Sequence, residues 1–373
     1  MKKIVCILII FSLLFTLTNT SIAQSAAEES LQTKINREIS IDDAVGIAAV
    51  NSRQAVIDDL EIAAKETAIK QAIEDADSVA GGITPTAALR DRVTVKVKVR
   101  EAEANLEIAK RTKTDNAAQL ERDVKLTFYN ILLAQMELKT TAEKLKFTEE
   151  RLNMAKSRYG AKTITKDDLD MAEYNLYSRN IEIESIKEKI KNLDMKLKDQ
   201  LGLPLDGDML QIKGMIIREE IPEVDIDRLV RENIETDTSV YAAAEKYNSA
   251  KITMELTAEL FTQGSETYDN NMVSLETALR DYDAAKRNRE VEIRNTYNDL
   301  LSLKDSADLA ERYEELQRKI ADNVKIKYEK GTVSKETYMA AEESYLDAVY
   351  GKYKSICDLN GKILEFNNII NKN

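Results

Sequence analysis

The side chains able to do chemistry in this chain are few in kind. Histidine is absent, so nucleophilic catalysis would need Cys357 or a serine activated by a lysine or a carboxylate, and no spacing singles out such a set. The doublets Asp167-Asp168 and Glu219-Glu220 have the residue types of an acid–base pair. In a chain with 66 Asp and Glu residues, however, such doublets read as solvated surface. No phosphate-cradling glycine loop, dinucleotide fingerprint or zinc-ligand spacing occurs, so the sequence calls for no cofactor and no metal. Cys357 reads as a packed thiol. Charged residues make up 32% of the chain, with three prolines and eleven glycines, and Ala, Leu, Glu and Lys abound. That is the composition of long helices rather than of a compact catalytic domain. The expectation is a protein that is not an enzyme.

The polar residues worth singling out lie in a repeat. Residues 156–176 and 325–345 align without a gap at an offset of 169, with six of 21 positions identical. The identities are Lys156/Lys325, Tyr159/Tyr328, Thr163/Thr332, Lys166/Lys335, Ala172/Ala341 and Glu173/Glu342. The offset persists upstream, where Asp123-Val124-Lys125 meets Glu292-Ile293-Arg294 and Leu106-Glu107 meets Leu275-Glu276. A repeat of this length makes the architecture two copies of one unit.

Each copy centres on a break between helical patterns. Gly160 to Thr165 is followed by the capping pattern Thr165-Lys166-Asp167-Asp168, and Gly331-Thr332-Val333-Ser334 reverses the chain in the second copy. A helix reversal exposes backbone groups and short hydroxyls at one end of an otherwise repetitive rod. The candidate functional residues are therefore Arg158, Tyr159, Gly160, Thr163, Thr165 and Asp168, with Tyr328, Gly331, Thr332 and Ser334. Each also has a purely structural reading. Thr165 and Ser334 would serve as N-caps, Gly331 as a left-handed turn residue, and the tyrosines as packing. Taken together, the two tips favour a docking surface.

The elements that position these tips read outward from them. From about Glu101 to Tyr159 no proline or glycine interrupts the sequence, and Leu138, Ala142, Leu145, Leu152 and Ala155 recur at helical spacing. This predicts a helix ~85 Å long at 1.5 Å per residue. A second helix runs from the tip to about Gln200 and ends at Leu201-Gly202-Leu203-Pro204. In the second copy a long helix runs to Glu329 with Leu309, Tyr313, Leu316, Ile320 and Val324 on one stripe, and a last helix runs to about Ile370. Ser40-Ile41-Asp42-Asp43 opens a helix to about Ala76, and Asp225-Ile226-Asp227 opens its counterpart to about Leu260. Residues 77–91 and the stretch around Gln263 to Asn271 read as loops. Arg92 to Val99, RVTVKVKV, alternates strictly and is the one strand signal. It falls within the 16 extra residues of the first copy.

Lys2-Lys3, the apolar run Ile4 to Leu17 and Ser21-Ile22-Ala23 form a secretory leader, which implies export and a mature chain starting at Gln24. The apolar run is shorter than the ~20 residues of a spanning helix. Removing Lys2 and Lys3 takes the net charge from −12 to −14, a poor match to nucleic acid. The organisation is a signal peptide over 1–23, a flexible N-terminus over 24–38, a first helical-hairpin repeat over 39–205, a connector over 206–224 and a second repeat over 225–373. The fold class is all-α: two tandem long antiparallel hairpins with at most a vestigial strand. Each helix carries one apolar stripe, with Ala134, Ala142, Ala155, Ala340 and Ala341 permitting close approach. Antiparallel pairing buries the stripes, and other subunits bury what remains.

On these residues the chain resembles the TolC-like outer-membrane efflux family, over about residues 39 to 370. The family's tip motif, R-[YF]-x-x-G-x-x-[ST]-x-x-[DE], is matched by Arg158-Tyr159, Thr165 and Asp168, and by Lys327-Tyr328, Gly331 and Ser334. The resemblance implies a homotrimeric tunnel in the outer membrane whose tips meet a periplasmic adaptor serving an inner-membrane or ABC-type pump. The chain departs from the pattern where Lys162 occupies the position of Gly331 and Thr337 replaces the second acidic residue. Met171 and Ala340 stand where an acidic ring near the tunnel mouth would be sought. One alternating run per protomer is also too little for a closed barrel, whose strands need ~9–11 residues each. The expected function is a conduit component of an envelope efflux or export system. The alternative is a non-conducting structural coiled coil of the envelope. An adaptor-like protein would need flanking β-rich domains that the sequence lacks. Mass spectrometry of the exported chain is expected to find Gln24 as its first residue; an intact Met1 would refute the leader.

Overall fold

A computed structural model of the chain describes residues 38–370. The expected leader and nearly all of the polar N-terminal segment lie outside them. Ser40 opens α1 (Ile41–Asn51) through a capping box, accepting from Asp43 N at 3.2 Å while Ser40 N donates to the Asp43 carboxylate at 3.3 Å. The sequence reading runs this helix on to Ala76. Instead Ser52 turns extended and caps α2 (Arg53–Asp77), accepting from Ala55 N at 3.2 Å. Its hydroxyl competes with the helical backbone, an effect that apolar periodicity does not register.

The stretch from 77 to 99 corrects two expectations. Part of the expected loop is helical, because Thr84 caps α3 (Pro85–Val93) and Pro85 starts it, where a missing N–H costs nothing. The alternating Arg92–Val99 segment is not a strand. It is the end of α3, a π-helical turn at Thr94–Lys98 and the start of α4 (Val99–Gly160). A strand here would have no partner, since the one β-bridge among the described residues is Ile39 with Ile212. Its N–H and C=O groups would be left unpaired, whereas the helix satisfies them internally. The wider turn still buries the valine at the middle of the run, Val97, at 2% exposure.

Beyond the first tip, α5 (Lys166–Gln200) returns antiparallel to α4. The connector then leads to α6 (Ile226–Thr236), which stops at Asp237 as α1 stops at Ser52. The Asp237 carboxylate caps α7 (Thr238–Leu260), accepting from Ser239 N and Val240 N. A turn shorter than expected leads into α8 (Glu266–Glu329), and the second tip into α9 (Lys335–Ile370). At 62 and 64 residues, α4 and α8 are about 95 Å long. Side contacts run α5 to α4, α4 to α9 and α9 to α8, so the four long helices form one row with α5 and α8 at its edges.

Apolar packing is concentrated away from the tips. Phe128 and Ile131 of α4, Leu197 of α5 and Ile356 of α9 meet Ile39, Leu210 and Ile216, so the connector is wrapped into the core. Gly214 lets the connector lie on Phe128, where a Cβ would sit 3.3 Å from the ring. Asn360 holds it by donating to Ile217 O (2.7 Å) and accepting from Glu219 N (3.0 Å). A second cluster joins Leu229 and Val230 of α6 to Ile293 and Leu300 of α8 and to Ile363 and Phe366 of α9.

A buried ion pair fastens the connector to α5. Asp194 and Lys198 lie 3.0 Å apart, both nearly solvent-free. Asp194 accepts from Leu210 N at 2.8 Å and Lys198 donates to Asp208 O at 2.8 Å. Removing one partner leaves a buried charge and a buried amide unsatisfied. Asp194→Ala is expected to cost about 3 kcal/mol in denaturant unfolding, whereas Lys187→Ala on the exposed face of α5 should change stability by less than about 0.5 kcal/mol.

Candidate functional site

The two tips are built by the same hydrogen bonds from different residues. At the end of α4, Lys162 N donates to Tyr159 O (2.9 Å) and Thr163 N donates to Arg158 O (2.9 Å). At the end of α8, Gly331 N donates to Tyr328 O (2.8 Å) and Thr332 N to Lys327 O (2.9 Å). Both are the paired closure of a helix by one left-handed residue. That residue is Gly331 at φ +72° in one tip and Lys162 at φ +59° in the other. The displaced glycine of the first tip, Gly160, is simply the last residue of α4.

Each candidate residue has a defined place. The hydroxyls of Thr163 and Thr332 each donate to the carbonyl five residues back, Arg158 O and Lys327 O, at 2.9 Å. Thr165 caps α5 in a reciprocal box with Asp168, whose carboxyl is held below its usual range by hydrogen bonds from the Thr165 side chain and backbone. Ser334 caps α9 by accepting from Thr337 N at 3.1 Å, and its hydroxyl bonds the Thr337 hydroxyl at 2.9 Å. Thr337 thus replaces the acidic residue with a neutral cap. Tyr328 stacks on Tyr338 with centroids 5.1 Å apart, while Tyr159 stays exposed with Lys166 Nζ 6.0 Å from its ring. All ten positions lie at the two reversals, and all but half-buried Tyr328 are exposed. Their short hydroxyls are spent on the turns, so a partner would meet the protruding Tyr159, Lys162 and Lys330.

Periodicity alone misses what joins the two hairpins just behind the tips. Arg151 of α4 reaches across to α9, forking onto both carboxylate oxygens of Glu343 at 2.8 Å and onto Glu336 at 2.8 Å. Its guanidinium is held charged above its ordinary value, chiefly by Glu343. Lys335 pairs with Glu150, and Lys144 with Asp347. These partners are 185 to 203 residues apart in the chain, beyond the reach of any spacing argument. A groove of about 640 Å³ runs beside this clamp, lined by Arg151, Arg158, Arg179, Glu182, Glu336 and Glu343.

One stripe is assigned differently by the structure. Leu309, Tyr313, Leu316 and Ile320 do not face α9; they are exposed, and α8 meets α9 through Leu300, Ala307, Glu314 and Ala321. A small-residue seam suffices for the tight hairpin, so the large apolar side chains are left on the outer edge. Ala340 is likewise exposed, whereas Ala134 is fully buried.

No protein-family model matches the chain, and no curated protein matches it in sequence. Solved structures do match in fold. The chain is similar to the outer-membrane channel CmeC of Campylobacter jejuni, at 11% identity and a TM-score of 0.64 over 89% of this chain and 85% of that one. CusC, studied for its folding and transmembrane channel formation, matches at 13% identity and a TM-score of 0.64, with 88% and 91% of the two chains covered. The outer-membrane protein VceC of Vibrio cholerae matches at 11% identity and a TM-score of 0.61, with 88% and 94% covered. The chain therefore has the TolC-like protomer fold, here all-helical and without a strand among the described residues.

The shared left-handed position gives opposite expectations at the two tips. Gly331→Ala should destabilise the chain by about 1 kcal/mol, because a Cβ is strained at positive φ. Lys162→Gly should stabilise it by up to about 1 kcal/mol by relieving the same strain. Denaturant midpoints of the two variants check the pair; equal signs would refute a common backbone constraint.

Proposed function

We propose that this chain is an exported conduit component of a cell-envelope efflux or export system, assembling as a trimer at the outer membrane. In this reading it does no chemistry. Its tips dock a periplasmic adaptor, which links it to an inner-membrane or ABC-type pump, and the long hairpins open and close at that end. The observation that carries the reading is the row of four long helices with apolar side chains left on both outer edges. A long helix edge with exposed Leu, Ile and Tyr is stable in water only when something covers it. Copies of the same row covering one another edge to edge close into a ring, and a ring of long helices encloses a channel. The likeness to outer-membrane channels over nearly nine-tenths of the chain supports the same reading.

A second reading, a non-conducting structural coiled coil of the envelope, is favoured by the ends opposite the tips. There the chain makes helical turns rather than strands of bilayer-spanning length. Cysteines placed at Tyr159 and Lys330 and crosslinked in cells to a co-expressed adaptor distinguish the two, together with the mass of the purified chain by light scattering. A trimer with tip crosslinks is the expected result. A trimer without them would favour the structural reading, and a monomer without them would sink the conduit reading.

A further inference from the structure

The row of helices contains one seam between its hairpins, filled within the protomer, and two open edges, and the repeat relates them. The filled seam joins α4 to α9, the first repeat to the second. At the offset of 169, α8 is the counterpart of α4 and α5 the counterpart of α9. The open edges are therefore the two halves of the same seam, each lacking its partner. The contacts of the filled seam can be carried onto them, and Lys335 with Glu150 becomes Lys166 with Lys319, a like-charge pair beside the tip.

Arg151 with Glu343 becomes Ile320 with Tyr174, and Lys144 with Asp347 becomes Tyr313 with Ser178. Glu137, which accepts from the Tyr350 hydroxyl, becomes Ser306 with Ile181. The carried-over side chains are exposed as an unfilled seam requires. Tyr174 and Ile181 are 63% and 52% exposed, and Tyr313 and Ile320 are 49% and 40% exposed, whereas the Arg151 and Glu343 side chains are 28% and 20% exposed. Their phase also fits. Tyr174 and Ile181 are one heptad apart and turned away from Ile186 and Ile190, which pack on Ala134 of α4. Tyr313 and Ile320 are likewise one heptad apart, off the face that Ala307, Glu314 and Ala321 present to α9.

We infer that copies of this chain associate with α5 of one on α8 of the next in the register of the internal seam, Tyr174 against Ile320 and Ser178 against Tyr313. The assembly seam is then apolar where Arg151 and Lys144 pair with Glu343 and Asp347 in the internal seam, and the Lys166–Lys319 repulsion beside the tip is itself relieved by salt. The two should respond oppositely to salt, which screens charge pairs and strengthens apolar burial. This inference rests on the self-assembly reading above and adds its register and chemistry.

The test uses the full chain carrying Tyr174→Cys with Ile320→Cys and a short thiol-to-thiol reagent. Buried Cys357, its thiol pushed up to about 12 by burial, is a poor competitor. Crosslinked species of more than one chain are expected from this pair and from neither single variant. The heptad-shifted pair Ile181→Cys with Ile320→Cys should give none. A complementary set transplants the internal chemistry. Ile320→Arg alone should weaken association at least about tenfold, by burying an unpaired charge. Adding Tyr174→Glu should restore association and make it salt-sensitive. A multi-chain mass with crosslinks only at the shifted pair, or no rescue by Tyr174→Glu, would overturn the register and leave assembly standing. A monomeric wild-type chain would overturn both.

Discussion

A helix of more than 60 residues with one apolar stripe cannot stand alone in water, and that constraint shapes everything else in this chain. Helical propensity contributes little per residue, so a long helix lasts only where a partner covers its stripe. Here the partner is supplied first by the tip reversal, which folds α5 onto α4 and α9 onto α8. It is supplied next by the duplication, which lays one hairpin against the other. What duplication cannot supply is an end to the row. Four helices side by side leave two edges, and both keep large apolar side chains.

The seams within the row are chemically unlike. Inside each hairpin, alanine and small polar residues let the helices approach closely, as at Ala134, Thr141 and Ala307. Between the hairpins near the tips, ion pairs centred on Arg151 do the joining, in a part-exposed setting where each such pair contributes modestly. Firm apolar cohesion lies further along, where the connector crosses the helices and Phe128 and Leu197 are sealed beneath it. The protomer is therefore held most tightly at its middle and least tightly at its tips. A coil opening at the tips would disturb a few part-exposed ion pairs while leaving the buried core intact.

Much of this was legible in the residues themselves. The Ser40 and Thr165 capping boxes, the stop at Gly202 and the uninterrupted run before Tyr159 marked helix ends within a residue or two, because caps and breakers act locally. The valine alternation of Arg92–Val99 misled for a physical reason. Alternation is the mark of a half-buried strand, but a strand also needs a neighbour to pair with, and none exists in the described chain. The breaks at Ser52 and Asp237 were missed because one capping side chain overrides periodicity. The stripe of Leu309, Tyr313, Leu316 and Ile320 was visible as a stripe, but nothing in its spacing told which neighbour it faced.

By itself the sequence determined the duplication, the hairpins and the identity of their tips, since each follows from local rules of helix initiation, propagation and reversal. The order of the helices in the row, the Arg151 clamp and the exposure of the α5 and α8 edges were decided only in three dimensions. Their partners lie more than a hundred residues apart, and side-chain spacing along one helix carries no information about what stands beside it.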